Sequence, residues 1–439
     1  MQRFRGRSSL KRDGFLRVGL FVLGGAACAT TLGVGAMGSA APAKADGCVA
    51  FGSVNLHAGS SHCSAVGMGT LALAFGADST ATATGKFSSA WALGVDSTAT
   101  AEAGVANEAI AMGNGSTASA YDNAAPGTAG NFDWATAVGT DSSASAYGGN
   151  FNRATAVGYT NTAQAYNGTH NVATVIAAGN QASATADGGN NNRAVNLLTL
   201  FGYDSEADAT GGNGNTALQF LTAGYNPYVQ ASNGNHNFAI SFLTGGEEVG
   251  SEAEDGNGNI AVNALLLGAY GGAFAENGNH NLGLALLTGG YEPYAEGTNG
   301  NGNVGILIGA SGEEPYAQAG GGNHNIAFAT GNTSGADANG SSNIAITAGD
   351  GNNAETSQAT HSRVIVIGSD NNGYAFNGSD NRATVIGYKN TATAGDASNE
   401  QSSNHNSATA VGNLNTVTAG PGNNNHARGI GNNKVVHKP

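Results

Sequence analysis

Small, large and polar residues alternate in short runs along most of this chain, and the runs recur. One is a box of alternating residues closed by glycine, as in Ala90-Trp91-Ala92-Leu93-Gly94, Ala109-Ile110-Ala111-Met112-Gly113, Ala135-Thr136-Ala137-Val138-Gly139, Arg153-Ala154-Thr155-Ala156-Val157-Gly158 and Ala383-Thr384-Val385-Ile386-Gly387. The other is a small-x-small triplet with a polar middle residue, as in Ala99-Thr100-Ala101, Ala144-Ser145-Ala146, Ala163-Gln164-Ala165, Ala207-Asp208-Ala209 and Ala392-Thr393-Ala394. Strict alternation of this kind predicts half-buried strands. Large residues hold the second and fourth places of the boxes, so the pattern predicts that Trp91 with Leu93, Ile110 with Met112, and Leu218 with Phe220 point inward. The same reading leaves Ala135, Ala137, Ala154, Ala156, Ala408 and Ala410 outside as a flat stripe of small residues, turning polar at Asn196, Gln219, Ser241 and Asn263. In the triplets the alanines face in and the polar residue faces water.

The closing glycine recurs about 18 times between Gly76 and Gly431, at a mean spacing of roughly 21 residues, within the range of solenoid repeats. The predicted fold is all-β, an elongated parallel β-solenoid or β-roll of about 18 two-stranded coils occupying residues 71–439. At one strand spacing of about 4.8 Å per coil, its length is about 85 Å. Turns between coils are rich in Asn and Gly. From residue 213 they settle into Asn213-Gly214-Asn215, Asn235-His236-Asn237, Asn257-Gly258-Asn259, Asn279-His280-Asn281, Asn301-Gly302-Asn303 and Asn323-His324-Asn325. These residues accept left-handed backbone, and stacked Asn amides can bond from coil to coil. Larger apolar residues such as Leu197, Leu198, Phe201, Leu265, Leu286 and Leu287 predict that residues 190–320 are the thickest part of the rod. Pro126, Pro227, Pro293, Pro315 and Pro421 fall outside the boxes, where no ladder donor is needed.

The ends change the compositional picture. Arg3, Arg5, Arg7, Lys11, Arg12 and Arg17 precede an apolar run from Val18 to Met37 and a small-x-small Ala43-Lys44-Ala45, so residues 1–45 read as a secretory signal peptide. Without them nine Lys plus Arg face 29 Asp plus Glu, which argues against nucleic acid or an anionic membrane as partner. No integral membrane domain is expected after cleavage. Export predicts a secreted or cell-surface location and a disulfide between Cys48 and Cys63, tying an N-terminal cap over residues 46–70. Zinc would need more ligands than these two thiols with His57 or His62 supply.

The box followed by a triplet, best seen in Ala109-Ile110-Ala111-Met112-Gly113-Asn114-Gly115-Ser116-Thr117-Ala118, resembles the head repeats of trimeric autotransporter adhesins of the YadA type. The likeness covers residues 70–175 and 380–431 well and the longer central coils loosely. It implies a left-handed parallel β-roll, a homo-oligomer, specifically a trimer, and an adhesive role. Those adhesins continue into a coiled-coil stalk and membrane barrel, whereas this sequence ends in Asn433-Lys434-Val435-Val436-His437-Lys438-Pro439, so membrane anchoring is not carried over. The signal peptide and Asn/Gly-rich repeats also look like exported low-complexity proteins of actinobacteria.

Candidate chemistry is sparse. His236, His280 and His324 recur on every second coil, about 10 Å apart along the rod, too far for a shared metal ion. Glu247, Glu248, Glu252, Glu254, Asp255, Glu276, Glu292, Glu296, Glu313 and Glu314 form an acidic block, and no basic residue lies between Arg193 and Arg363 to clamp a substrate. The block reads as a solvated face, with weak calcium binding and polysaccharide cleavage as the alternatives weighed. The outward triplet column, with Asp208, Gln230, Phe274 and Glu296 among its Thr and Ser, lacks the uniformity of an ice-binding array. Tyr225, Tyr228, Tyr291, Tyr294 and Tyr316 offer an aromatic column that could stack on sugars or a protein, against an intramolecular ladder that only covers a corner. The sequence therefore predicts no enzyme, cofactor or metal. It points to a structural, adhesin-like repeat protein acting by multivalent contact with itself, the envelope or a host surface, self-association running through the alanine stripe. A carbohydrate-binding or carbohydrate-active solenoid using the Tyr- and Glu-rich central coils is the alternative.

Overall fold

The computed structural model describes residues 46–121, 130–199, 205–221, 227–243, 250–264, 271–287, 293–309, 311, 315–332, 334–396 and 403–439; residues 1–45, expected from the sequence to be a signal peptide, lie outside them. The described part is a β-solenoid of about 17 turns with roughly 19-residue spacing. In the central coils equivalent residues lie 22 apart.

The box strands form a long ladder that climbs one coil per step. Ala135 stands beside Ala154, Ala154 beside Ala173 and Ala173 beside Ala194, each step parallel and in register. The triplets build the second wall. They pair as a seven-stranded sheet from His62–Met68 to Ser183–Ala186 and as a six-stranded sheet from Asp337–Ser341 to Val435–Lys438. Between these sheets the wall continues as extended segments with sparser bonds, such as Asp208 N–H to the Val229 carbonyl at 2.9 Å and Gln318 N–H to the Ala336 carbonyl at 3.1 Å. Pro227, Pro293 and Pro315 enter these segments and have no N–H to give to a ladder. At the first coil, Gly47–Phe51 runs antiparallel to both Val54–Ala58 and Leu71–Phe75, and Cys48 is bridged to Cys63 with Cα atoms 5.7 Å apart.

The inward face of the boxes is the opposite of the one the pattern suggested. Ala90 and Ala92, Ala109 and Ala111, Ala135 and Ala137, and Ala408 and Ala410 are fully buried, while Trp91, Leu93, Ile110, Met112, Leu218 and Phe220 point outward. Asn196, Gln219, Ser241 and Asn263, expected on the outer stripe, are also fully buried. The cause is the closeness of the two walls. A Cβ on Gly283 would meet the Ala273 carbonyl carbon and the Phe274 nitrogen at 2.9 Å, and one on Gly305 would run into the Glu296 carbonyl oxygen. Alanine is the side chain that most often fits such a gap, and most bigger ones are driven out to the surface, although Gln219, Leu307 and several valines are also fully buried. Where valine enters, its partner shrinks: a Cβ on Gly373 would lie 2.6 Å from Val364 Cγ1 and 2.7 Å from Val366 Cγ2. Leu197, Leu198, Leu286 and Leu287 therefore do not thicken the core, Phe201 and Leu265 lie outside the described residues, and the buried alanine stripe is no interface.

Hydrogen bonding runs the length of this thin core. A lane of buried residues just before each box strand, including Asn152, Asn171, Asn192, Asn215, Asn237, Asn259, Asn281, Asn303, Asn325 and Asn343, passes one bond per coil. Each side-chain oxygen accepts the backbone N–H of its counterpart one coil on, as Asn152 does from Asn171 at 3.1 Å and Asn281 from Asn303 at 2.9 Å. Each Nδ2 donates to carbonyls of the adjoining corner, as Asn281 does to Thr298 at 2.6 Å and Gly300 at 2.8 Å. Asp133 and Ser362 fill the same role, accepting from the N–H groups of Asn152 and Asn381.

Candidate functional site

The central turns resolve the two asparagines of each Asn-x-Asn into separate lanes. The second joins the buried lane above. The first faces solvent and bonds side chain to side chain, Asn279 Nδ2 to Asn301 Oδ1 at 2.8 Å and Asn301 Nδ2 to Asn323 Oδ1 at 3.0 Å. The residue between takes left-handed backbone whether glycine, φ 68° at Gly214, or histidine, φ 58° at His236. The Gly/His alternation has a packing reason that the sequence did not disclose. A Cβ on Gly214, Gly258 or Gly302 would lie 3.1 Å from Cδ2 of His236, His280 or His324 respectively, so each imidazole lies across the glycine of the coil before it. Among the described residues, no group of three or more His, Cys, Asp and Glu side chains is arranged to hold a metal ion.

The acidic block occupies the outward side of the second wall. Glu252, Glu254, Glu276 and Glu296 are half-buried there beside Asp208 and Asp337, whereas Asp255 sits exposed at a corner. Glu247, Glu248, Glu292, Glu313 and Glu314 lie outside the described residues. Partial burial, with like charges next in line, pushes Glu296 up to about 7; Glu252 is raised to about 7 by burial and then by its hydrogen bond and charge contact with Glu254. Burial raises Asp208 and Asp337 to about 6, against smaller opposing hydrogen bonds from Thr210 and the Asn339 backbone.

These shifts fix the sign of a pH effect. A carboxyl whose folded pKa lies above its unfolded value holds more protons in the native state between the two, so stability falls as pH rises across that interval. The solenoid is expected to be more resistant to urea at pH 5 than at pH 8. Each of the four groups contributes on the order of 1 kcal/mol once water screening at these half-open positions is allowed for. Urea midpoints at the two pH values check this, and Glu252→Gln with Glu296→Gln should flatten the difference.

Of the candidate tyrosines, Tyr225 and Tyr291 lie outside the described residues. Tyr228, Tyr294 and Tyr316 are half-buried at the start of the second-wall segments, next to the acids. Tyr294 and Tyr316 are neighbours, ring centroids 6.4 Å apart and nearly perpendicular at 83°, and Phe274 approaches Tyr294 at 6.2 Å. Tyr228 and Tyr316 both lie among acids: burial, then Glu252, Glu206 and Asp208 for Tyr228, and burial, then Asp337, Glu296 and Glu355 for Tyr316, hold each hydroxyl well above the ordinary phenol range. The structure thus joins two of the five named tyrosines in one aromatic group and sets Tyr228 apart from it.

Two further aromatic columns were missed in the sequence. Tyr121, Tyr147 and Tyr166 stack at 5.2 and 4.9 Å, and Phe132, Phe151 and His170 stack at 5.0 and 4.9 Å with nearly parallel planes. The signal was present in Ala120-Tyr121, Ala146-Tyr147 and Ala165-Tyr166, where one aromatic follows each triplet. In these columns a ring's face is taken up by its neighbour, which leaves mainly edges for a ligand. No family model, curated protein or solved structure matches the chain.

Proposed function

We propose that this chain is an exported structural repeat protein, adhesin-like, whose solenoid offers the same kind of lateral surface coil after coil and acts by multivalent contact without chemistry. The observation that carries this reading is the register. Parallel pairing places equivalent side chains in continuous lanes one strand spacing apart, from Leu71–Phe75 to His426–Ile430, so a contact made by one coil can be repeated by the next. The Cys48–Cys63 disulfide suits an oxidising compartment, and the box-and-triplet likeness to YadA-type head repeats points the same way. Envelope or host surfaces are the partners this reading names.

Beads carrying the protein at increasing density, challenged with envelope fragments and with host matrix, test it. Linking many weak contacts raises avidity by about 10²–10⁴, so capture should climb far more steeply than density. Capture of neither surface at any density would sink the proposal.

A second reading rests on the Phe274, Tyr294 and Tyr316 group, which gathers three half-buried rings in one place, with Glu296 beside Tyr316. As a carbohydrate-binding face it would select particular glycans on an array, and Tyr294→Ala with Tyr316→Ala would abolish that selection. Glycan binding that survives both changes would exclude this face.

A further inference from the structure

The outer surface of the long sheet is far more apolar than a wall facing water requires. Seven successive box strands, from Thr216–Phe220 to Ile344–Ala348, present three outward positions each, and none of these strands contains a charged residue. Their central lane reads Leu218, Ile240, Val262, Leu284, Ile306, Phe328 and Ile346, paired coil to coil in register. Phe242, Ile260 and Ile326 are 41%, 40% and 38% exposed, so this is surface and not core. Seven strands about 4.8 Å apart, each with three outward side chains, cover roughly 700 Å². That exceeds the few hundred Å² of an ordinary surface patch. It approaches the roughly 800 Å² that each partner contributes to a stable protein–protein interface.

Charge indicates what covers it. Every described acidic residue between Arg193 and Arg363 lies on the second wall or at a corner, none on this sheet. A second copy can therefore approach here without described carboxylates of the two sheets meeting, whereas anionic lipid headgroups would face the chain's whole acidic excess. We propose that two copies of this chain pack face to face through the outer surface of these seven strands.

The flanking arginines set the direction. Arg193 and Arg363 occupy the same outward lane, each four strands from the central strand Leu282–Leu286. If the copies ran in opposite directions about that strand, Arg193 of one would lie over Arg363 of the other, twice, with no carboxylate on the sheet to compensate. If they run in the same direction, that lane faces the opposite lane of the partner, so Arg193 covers Leu197 and Arg363 covers Ile367 along their aliphatic stems. Same-direction pairing, coil against like coil, follows. The inference does not depend on what surface the solenoid binds.

The test is sedimentation equilibrium on the full chain. The expected mass is twice 43.2 kDa. Leu284→Lys with Ile306→Lys should halve it while leaving the far-ultraviolet spectrum unchanged, and Gln318→Lys on the other wall should leave it at two copies. A monomeric or three-chain wild type overturns the proposal, as does a lysine variant that stays paired. Monomers that float with neutral lipid vesicles would give the face to lipid instead.

Cross-linking tests the same point without introducing a buried charge. In a Cys28→Ser background, Leu218→Cys and Ile346→Cys chains are each treated with a maleimide linker that spans the about 10 Å between packed sheets. Each variant should link to itself. Linking only in a mixture of the two would overturn same-direction pairing, and no linking in any combination would overturn the interface.

Discussion

Asn281→Ala is expected to cost about 4 kcal/mol, although it removes one neutral side chain from a molecule that holds many asparagines. The Asn281 amide donates to the carbonyls of Thr298 and Gly300 and accepts the N–H of Asn303, all in a lane closed to water. Alanine would leave three buried backbone groups without partners, each costing about 1–3 kcal/mol. Two residues away, Asn279 bonds to Asn257 and Asn301 at similar distances, but from the solvent side. Water replaces those bonds, so Asn279→Ala should cost under about 1 kcal/mol. A stack of repeats can open locally, and amide hydrogen exchange is therefore the more telling measurement. For Asn281→Ala, protection should drop in the strands Ile260–Ala264, Leu282–Leu286 and Val304–Ile308 and be kept in remote coils. Equal losses for Asn279→Ala and Asn281→Ala would show that the buried lane carries no special weight.

That contrast also marks how far the sequence could be read. Repeat length, strand character and parallel stacking follow from local pattern, because each depends on spacing and on residue type at a turn, while the Cys48–Cys63 bridge was expected from export and from these being the two cysteines after residue 45. Which side of a box faces in depends on the distance between two walls, and no single strand encodes it. Hydrophobicity alone favours Trp91 and Leu93 inside; the approach of Ala273 and Phe274 to Gly283, or of Glu296 to Gly305, shows that the space is not there. The clue available in the sequence was the constancy of alanine against the variety opposite it. Positions paired across coils as Ala135, Ala154, Ala173 and Ala194 stay small almost throughout, Val364 being an exception, while their neighbours range through Thr136, Thr155, Thr174 and Val195.

The candidate sites were legible to different depths. The asparagine turns announced a coil-to-coil ladder, but not that one asparagine of each pair is buried and the other solvated. The alternating His and Gly gave the two-coil period without its cause, because that cause is contact between successive coils. The tyrosines were read as one column, but only the packing shows Tyr294 and Tyr316 in contact with each other and Phe274, with Tyr228 outside that group. The apolar face was in view throughout, with its residues assigned to the interior.

Gly139→Ala is expected to be at least as damaging as Asn281→Ala, at about 4 kcal/mol or more, for a reason held in the backbone. Gly94, Gly113, Gly139 and Gly158 stack at the close of successive boxes with φ between 127° and 134°, and an added Cβ on each of the first three would fall within the carbonyl of the next. The obstacle is ladder backbone and cannot rotate away, so the strain of such a φ, about 1–3 kcal/mol, adds to broken strand hydrogen bonds. Opposite Gly158 the column holds Ala177, and there the register slips by two residues, so that Val157 pairs with Ile176 but Tyr159 with Asn180. Gly115, at φ 64° with only the Asp141 carboxylate in the way of a Cβ, is the control, since that side chain can turn aside. Gly115→Ala should cost about 1 kcal/mol. Urea denaturation of the two variants checks the ranking: a cost for Gly139→Ala no larger than for Gly115→Ala would mean that the box glycines serve the turn alone and not the close approach of coil to coil.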